Sequence, residues 1–393
     1  MKKSLLSLSA LLFCLLFLTC TVDRLPYKQK EDKPDTSGTG IRDTGSIKDT
    51  SFVHEDVDDI YDYFDPFFRF QGYLNYSGKF GLDEYRRQGA IDILPAWEIT
   101  MGAGVKITVI DDGIQKNHEE LAGISIWNVI DGSNSCEPIR RNDSSHGTAV
   151  SGVITAMANG IGIIGVAPES DFLFIGDPTG KFSDADVLKA FEYAKNWGTR
   201  IISCSWGSYA VSSTFESMIK NFYDEGMVFV FATGNKGYNL DNKPQPFRNG
   251  KDESELEWVI GVSASNPGGV LASFSDYGSK LDIMAPGQRI LTLDLMGIEG
   301  ANNANSVANN NYTFQQGASF AAPIVAGVAA LILSVRPDLT PSEVRQIIID
   351  TARKNPPVNG SGYNANGFSL YHAYGLIDAG KAVQKARGST AIK

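Results

Sequence analysis

Short runs rich in apolar and β-branched residues, separated by stretches of helical periodicity, most limit how this chain can fold. The runs are Val105–Ile110, Ile201–Ser205, Met227–Ala232 and Trp258–Val262. Strands that are apolar on both faces are typical of a parallel sheet covered by helices on each side. Helical patterns at Asp184–Trp197 and Ser213–Glu225 lie between the runs. We therefore predict an α/β fold, a three-layer sandwich in which helices flank a mostly parallel central sheet.

One helical segment is apolar on every side. Ala318–Val335 is rich in Gly and Ala, and Pro323 and Gly327 interrupt it, so it is too short and broken for a bilayer and we predict a buried central helix. The helix that follows should begin with a capping box in which Thr340 is the N-cap and Glu343 its partner.

The N-terminus has the pattern of a secretory signal. Lys2 and Lys3 precede the apolar run Leu5–Leu18, which falls short of the roughly 20 residues that span a bilayer. We predict a signal peptide over residues 1–20 and an exported protein, extracellular, periplasmic or on the cell surface. Because Thr19-Cys20 is similar to a loose lipobox, lipidation of Cys20 with attachment to an outer or cell-surface membrane stays open beside plain cleavage and an uncleaved anchor.

The rest of the chain divides into a polar segment and one folded domain. Residues 21–64 are polar and acidic with many turn formers, which predicts a linker with a short prosegment. A single domain should follow over residues 65–386, with a tail at 387–393. No internal repeat and no second boundary is visible in the sequence.

Composition excludes several classes of function. The chain has 35 Lys+Arg against 45 Asp+Glu and a net charge of -10, which argues against nucleic-acid binding. Only Cys136 and Cys204 lie beyond the predicted leader, so neither a disulfide framework nor a cysteine zinc site is expected. With 4 histidines in all, few residues could act as a histidine base.

Polar side chains stand where the predicted strands and the buried helix end or begin. Asp111 ends the first run, Asn235 follows the third, His146 precedes a glycine, and Ser319 heads the buried helix. The carboxyl ends of parallel strands meet at one edge of a sheet. Serine is a weak nucleophile that needs an adjacent base, and a carboxylate orients a histidine base. An amide and a backbone N–H can stabilise an oxyanion. Together these groups form a complete acyl-transfer set.

Whole motifs surround these residues. They are Val109–Gly113, His146–Gly152 and Gly317–Pro323, with further matches at Ala272–Ser275, Met284–Gly287 and Tyr374–Gly380. In this order they resemble the motifs of the subtilisin-like serine proteases (subtilases) over about residues 65–386, which implies a subtilisin-like fold. The Asp-Asp-Gly form of the first motif and the Lys116–His118 segment are similar to the kexin/furin branch. We expect no accessory C-terminal β-domain of the kind that this branch carries.

The resemblance implies a serine endopeptidase that hydrolyses protein or peptide substrates through an acyl-enzyme, and we expect a monomer. Asp111 would be the triad acid, His146 the base and Ser319 the nucleophile, and Asn235 would lie in the oxyanion hole. Two alternative functions differ in what they require. A catalytically inactive subtilase fold could serve as a surface binding module, although all four reactive groups are present. A nucleotide-binding fold would need a glycine-rich fingerprint or a phosphate-binding lysine, and the strand ends lack both.

The resemblance also implies a substrate cleft in which the peptide lies as an added β-strand. Its walls would be Ser205, Trp206 and Gly207 on one side and Ala232, Thr233 and Gly234 on the other, with Asp112 facing the substrate. Furin-type proteases have acidic residues after the first wall, but here Ser208–Val211 follows. We therefore expect a broad or apolar preference, with Asp241 as a substitute acidic residue if one is needed.

A structural Ca2+ is the cofactor that the resemblance implies. Its ligands would be the side chains of Gln71, Glu120 and Asn159 and the carbonyls of Met157, Ile161 and Ile163. Calcium prefers about six to eight oxygen ligands of these kinds. The alternative is that residues 157–163 form only a glycine-rich turn.

Overall fold

Seven parallel strands form the central sheet. They are β1 Lys106–Asp111, β2 Ser125–Asn128, β3 Asp171–Gly176, β4 Ile201–Cys204, β5 Val228–Ala232, β6 Val259–Ser265 and β7 Ile283–Pro286. Their order in the sheet is β2-β3-β1-β4-β5-β6-β7, and every neighbouring pair is parallel. The predicted α/β fold is therefore confirmed, and the apolar runs form β1, β4, β5 and β6. The strands β2, β3 and β7 were not among the predicted runs.

The computed structural model describes residues 65–75, 88–139, 145–208, 210–244, 250–297, 300, 311–355 and 362–388. The predicted signal peptide, the linker and Cys20 lie outside these residues, as does most of the predicted tail.

Helices cover both faces of the sheet. They are α1 Leu94–Trp97, α2 His146–Thr155, α3 Asp184–Trp197, α4 Ser213–Asp224, α5 Ala318–Val335, α6 Pro341–Thr351 and α7 Ala379–Gly388. Alternate residues of one strand enter opposite cores: Val109 packs in the core that contains α2 and α5, and Ile110 packs in the core that contains α3 and α4. Burial on both faces explains why the strands are apolar throughout.

Helix α5 runs through the interior and has the predicted bounds. Its mean hydropathy of 2.2 would suit a membrane span, but 89% of it is buried inside the protein, as expected for a core helix. The predicted capping box of α6 is also present: Thr340 Oγ1 accepts the N–H of Glu343, and the Glu343 carboxylate accepts the N–H of Thr340 at 2.8 Å. A short antiparallel hairpin, β8 Gln288–Leu293 and β9 Tyr312–Gln316, leads directly into α5.

The order of the strands places a crevice beside β1. The chain moves from β1 to β2 and β3 on one side and then crosses to β4 on the other. In open parallel sheets, ligands bind beyond the carboxyl ends of the strands at such a change of direction. A functional site is therefore expected beyond the carboxyl ends of β1 and β4.

Candidate active site

A carboxylate and an imidazole meet at the end of β1. Asp111 is the last residue of β1 and His146 the first residue of α2. Asp111 Oδ1 lies 2.8 Å from His146 Nδ1, and the side chains are 5% and 34% exposed, respectively. Because Nδ1 is engaged by the carboxylate, the partly exposed ring has Nε2 left for proton transfer.

The two acidic residues at the end of β1, Asp111 and Asp112, control the charge of the ring. Burial alone lowers the pKa of His146, but the charge and hydrogen bond of Asp111 act against it and, with the charge of Asp112, raise the pKa to about 9. The histidine becomes an efficient base only as the pH approaches that value.

Asp112 holds the start of helix α2. Its Oδ1 accepts the N–H of Gly113 and, at 2.8 Å, the N–H of Gly147. Burial and the neighbouring charge of Asp111 raise the pKa of Asp112 to about 7. A side chain at Gly147 would overlap the carbonyl of Gly113, so the close approach requires glycine. One oxygen of Asp112, predicted to face substrate, is thus bonded to backbone.

Ser319 is the second residue of α5 and is only 7% exposed. Pro323, four residues later, has no N–H to donate to the Ser319 carbonyl. The hydroxyl of Ser205 supplies the missing donor at 2.7 Å. The end of β4 is therefore tied directly to the residue predicted to be the nucleophile.

Helices α2 and α5 bring His146 and Ser319 into the same region. The ring of His146 meets the ring of Phe320, the neighbour of Ser319, edge to face at 5.7 Å between centroids. No hydrogen bond joins the Ser319 hydroxyl to the His146 ring in this structure. In substrate-free enzymes such bonds are often long and tighten only when substrate binds.

An amide borders the space in front of Ser319. Asn235 Oδ1 accepts the N–H of Ala318 at 2.7 Å, which fixes the orientation of the amide. Gly317 has a φ of 149°, and an ideal Cβ there would lie 2.8 Å from Ser319 Oγ and 3.2 Å from Asn235 Nδ2. Glycine thus leaves open the space between the hydroxyl and the amide, where an oxyanion could be bound.

The predicted walls of the substrate cleft continue from two neighbouring strands. Ser205, Trp206 and Gly207 follow β4, and Ala232, Thr233 and Gly234 lie at the end of β5. Trp206 is fixed by a hydrogen bond from Nε1 to the carbonyl of Ile110 at 2.8 Å. Asp241, the suggested substitute acidic residue, uses both carboxylate oxygens to bind Ser279.

Two buried carboxylates face the loop predicted to bind calcium. Glu120 is 0% exposed, and its Oε1 accepts the N–H of Ile163 and the hydroxyl of Tyr312, each at 2.9 Å. Asp65 was not predicted as a ligand; one of its oxygens accepts the N–H of Gly160, and Oδ2 is buried with no hydrogen-bond partner among the described residues. Burial raises the pKa of Asp65 to about 6 and that of Glu120 to about 8. Two buried acids with an orphaned oxygen fit a cation.

The two side-chain amides predicted to bind calcium, Asn159 and Gln71, differ in their surroundings. Asn159 lies beside the carboxylates, with Nδ2 3.4 Å from Glu120 Oε2 and Oδ1 accepting the N–H of Ile161 at 3.0 Å. Gln71 instead pairs with the backbone of Ile164, accepting its N–H at 3.0 Å and donating to its carbonyl at 2.8 Å. No group of three or more His, Cys, Asp or Glu side chains that could hold a metal occurs in the described part of the chain, so an ion here would also need amide and carbonyl oxygens.

Comparison with known proteins agrees with this geometry. The model of the subtilase family matches residues 102–375. Thermitase of Thermoactinomyces vulgaris is 32% identical over 294 residues, which cover 74% of this chain and 92% of the relative. A calcium-dependent protease of Trichormus variabilis is 32% identical over 335 residues, covering 74% of this chain and 48% of the relative. The solved structure of a protease from Pseudoalteromonas arctica is similar with a TM-score of 0.67 and 26% identity, covering 83% of this chain and 99% of that chain.

Proposed function

The chain belongs to the subtilase family of serine endopeptidases, and on that premise we propose that Ser319, His146 and Asp111 are its catalytic triad. The observation that carries this proposal is the 2.8 Å contact between Asp111 Oδ1 and His146 Nδ1 beside the head of helix α5. That contact holds the proton on Nδ1 and leaves Nε2 as the base.

The reaction is proposed to pass through an acyl-enzyme. Ser319 Oγ attacks the carbonyl carbon of the scissile peptide bond while His146 Nε2 takes the hydroxyl proton. His146 then gives this proton to the leaving amine as the C–N bond breaks. Water, deprotonated by the same nitrogen, then attacks the acyl carbon; the ester C–O bond breaks, and His146 returns the proton to Ser319 Oγ. Asp111 stabilises the charged ring at each step.

The oxyanion of each tetrahedral intermediate is proposed to bind the Asn235 amide and the backbone N–H of Ser319. The N-terminal end of α5 adds partial positive charge at the same place. Support comes from the fixed orientation of Asn235 and from the open space that Gly317 leaves between the two groups. Groups arranged before the reaction lower its barrier because they need no reorganisation.

We also propose that the segments after β4 and β5 bind protein or peptide substrates. The residue before the scissile bond would lie between Ser205–Gly207 and Ala232–Gly234, with the main chain paired as an added strand. Asp112 is proposed to border this cleft and to position His146 through its bond to Gly147.

A structural Ca2+ is proposed at the loop of residues 157–163. Glu120, Asn159 and the carbonyls of Met157, Ile161 and Ile163 would hold it, and Asp65 would add a second carboxylate. Gln71 would orient Ile164, since its amide oxygen already accepts the N–H of that residue. The ion would neutralise two buried acids, which agrees with a relative named as a calcium-dependent protease. The unpartnered Asp65 Oδ2 is the observation that supports the fit.

Export is proposed from the leader alone. Residues 1–20 would direct secretion, residues 21–64 would link the leader to a catalytic domain at 65–386, and lipidation of Cys20 would attach the enzyme to a membrane. Mass spectrometry of the mature N-terminus from the native host would distinguish a lipidated Cys20 from plain cleavage and from an uncleaved anchor.

Labelling with a serine-directed fluorophosphonate tests the proposed activity. We expect the wild type and a Ser217→Ala control, altered on an exposed helix, to be labelled and to hydrolyse casein. Ser319→Ala should retain the fold by circular dichroism and lose both signals. A folded wild type that neither reacts nor hydrolyses would make the protein an inactive binding module.

A further inference from the structure

Two carboxylates that come from a distant part of the sequence lie against one wall of the proposed cleft. Asp252 and Glu253 are only 1% and 3% exposed. An ideal Cβ at Gly207 would lie 3.0 Å from Asp252 Oδ2 and 3.2 Å from Glu253 Oε2. The space that glycine leaves in this wall is therefore bordered by two acidic groups.

The position of this pair relates it to both walls. The short 3-10 helix Glu253–Glu255 packs on Gly261 of β6, where a side chain would overlap the carbonyl of Ser254. Gly261 pairs with Phe231 of β5, and Phe231 pairs with Cys204 of β4. The first wall begins at Ser205, directly after Cys204, and the second begins at Ala232, directly after Phe231. Along the strand direction, the two carboxylates therefore lie at the same height as the first residues of the two cleft walls.

The pair is held in a fixed orientation, and no cation from the described residues compensates its charge. Glu253 accepts two hydrogen bonds from Ser208, at 2.8 Å from N–H and 2.7 Å from Oγ, and Asp252 Oδ1 accepts the N–H of Ser254 at 3.0 Å. The Asp252 side chain also caps the 3-10 helix, in a capping box with Glu255. The nearby ammonium of Lys243 is bonded to Glu255 instead, and no described Lys or Arg forms an ion pair with Asp252 or Glu253.

Burial and the charge of Glu253 raise the pKa of Asp252 to about 7, as expected for a buried acid beside a second carboxylate. A buried acidic pair of this kind is costly unless a cation pairs with it. The long apolar stem of a lysine or arginine can lie along a cleft wall while its charged end reaches such a pair.

We infer that Asp252 and Glu253 make this enzyme prefer lysine or arginine as the residue before the scissile bond. The inference rests on the proposed function and replaces the broad or apolar preference expected from Ser208–Val211. The acidic residues that are absent directly after the first wall are supplied by the segment that precedes β6.

The test compares peptides that are identical except for arginine, citrulline or leucine before the scissile bond. Citrulline has nearly the shape of arginine without its charge, so the arginine-to-citrulline ratio of kcat/KM isolates the ion pair. We expect a ratio of about 30 or more in the wild type. Asp252→Asn should lower this ratio at least tenfold, whereas Glu192→Gln, on an exposed part of α3, should leave it unchanged.

The comparison of the arginine and citrulline peptides uses the wild-type enzyme alone, so it tests the inference even if Asp252→Asn folds poorly. Equal cleavage of the arginine and citrulline peptides would overturn the inference and leave the proposed function intact. Loss of the ratio in Asp241→Asn but not in Asp252→Asn would also overturn it. Absence of both hydrolysis and fluorophosphonate labelling would instead count against the proposed function.

Discussion

The hydroxyl of Ser205 donates a hydrogen bond to the backbone carbonyl of Ser319 at 2.7 Å and replaces the donor that Pro323 cannot provide. A proline in the interior of a helix normally leaves the carbonyl four residues earlier without a partner. Here a residue of the proposed substrate wall fills that role. The hydrogen bond therefore links the substrate wall to the first turn of helix α5, and a substitution in either should change the position or stability of the other.

Removal of this hydroxyl should destabilise the protein. In Ser205→Ala the buried carbonyl of Ser319 loses its donor, and we expect the free energy of unfolding to fall by about 1–3 kcal/mol. Urea unfolding followed by circular dichroism measures the change. The matched variant Ser217→Ala, on the exposed side of α4, should stay within about 0.5 kcal/mol of the wild type. Equal stability of both variants would show that the Ser205 bond contributes nothing.

Asn235→Ala should reduce catalysis without removing the nucleophile. If the amide stabilises the oxyanion only in the transition state, kcat should fall about 100- to 1000-fold while KM changes little. Steady-state kinetics on a peptide substrate measures both constants. An exposed residue of α3 provides the control, Asn196→Ala, which should keep wild-type kinetics. A rise in KM alone would assign Asn235 to substrate binding.

The pH dependence should report the charge on His146. Only the neutral ring can accept the proton of Ser319, so kcat/KM should rise with pH and reach half its maximum near pH 9, the pKa that Asp111 and Asp112 produce. Asp112→Asn removes one negative charge and keeps an oxygen for Gly147, so the pKa should fall and the curve should move to lower pH by about one unit.

The control for this shift is Asp171→Asn, at the exposed amino end of β3 and far from the ring, which should leave the curve in place. A curve that stays fixed or moves to higher pH in Asp112→Asn would contradict the electrostatic role given to Asp112.

Calcium removal should lower thermal stability. An ion bound only by the folded protein adds about 3 kcal/mol when its free concentration is 100 times Kd, so a chelator should lower Tm. In Asp65→Asn the difference between calcium and chelator should be greatly reduced, whereas Asp131→Asn, in an exposed turn, should behave as the wild type. A chelator that leaves the wild-type Tm unchanged would exclude a structural ion.

Features set by local pattern were predictable from the sequence. Helical periodicity predicted Asp184–Trp197, and an apolar composition on every side predicted the buried helix Ala318–Val335; both helices have the predicted limits. The pairing of Asp111 with His146 is what the resemblance to the subtilases implied, and their side chains lie 2.8 Å apart.

Contacts that depend on the path of a loop were not predictable. Asp65 reaches Gly160 across a long stretch of sequence, and Asp252 reaches Gly207 only because the segment before β6 folds back on that strand. The one local signal at Asp252 is its capping box with Glu255, which indicates the start of a helical turn and nothing about a cleft. Gln71 shows the same limit, because its sequence position gives no sign that Ile164 pairs with its amide.

Helix α5 has a consequence for how this enzyme acquires its activity. Ser319 is carried by a buried segment that packs against strands β4 to β7 and against helices α2 and α7. In a chain whose core is not yet packed, the position of Ser319 Oγ is not fixed. The active site should therefore form at the same time as the core packs. Newly made or loosely folded chains should therefore be cleaved by proteases before they become proteolytically active themselves.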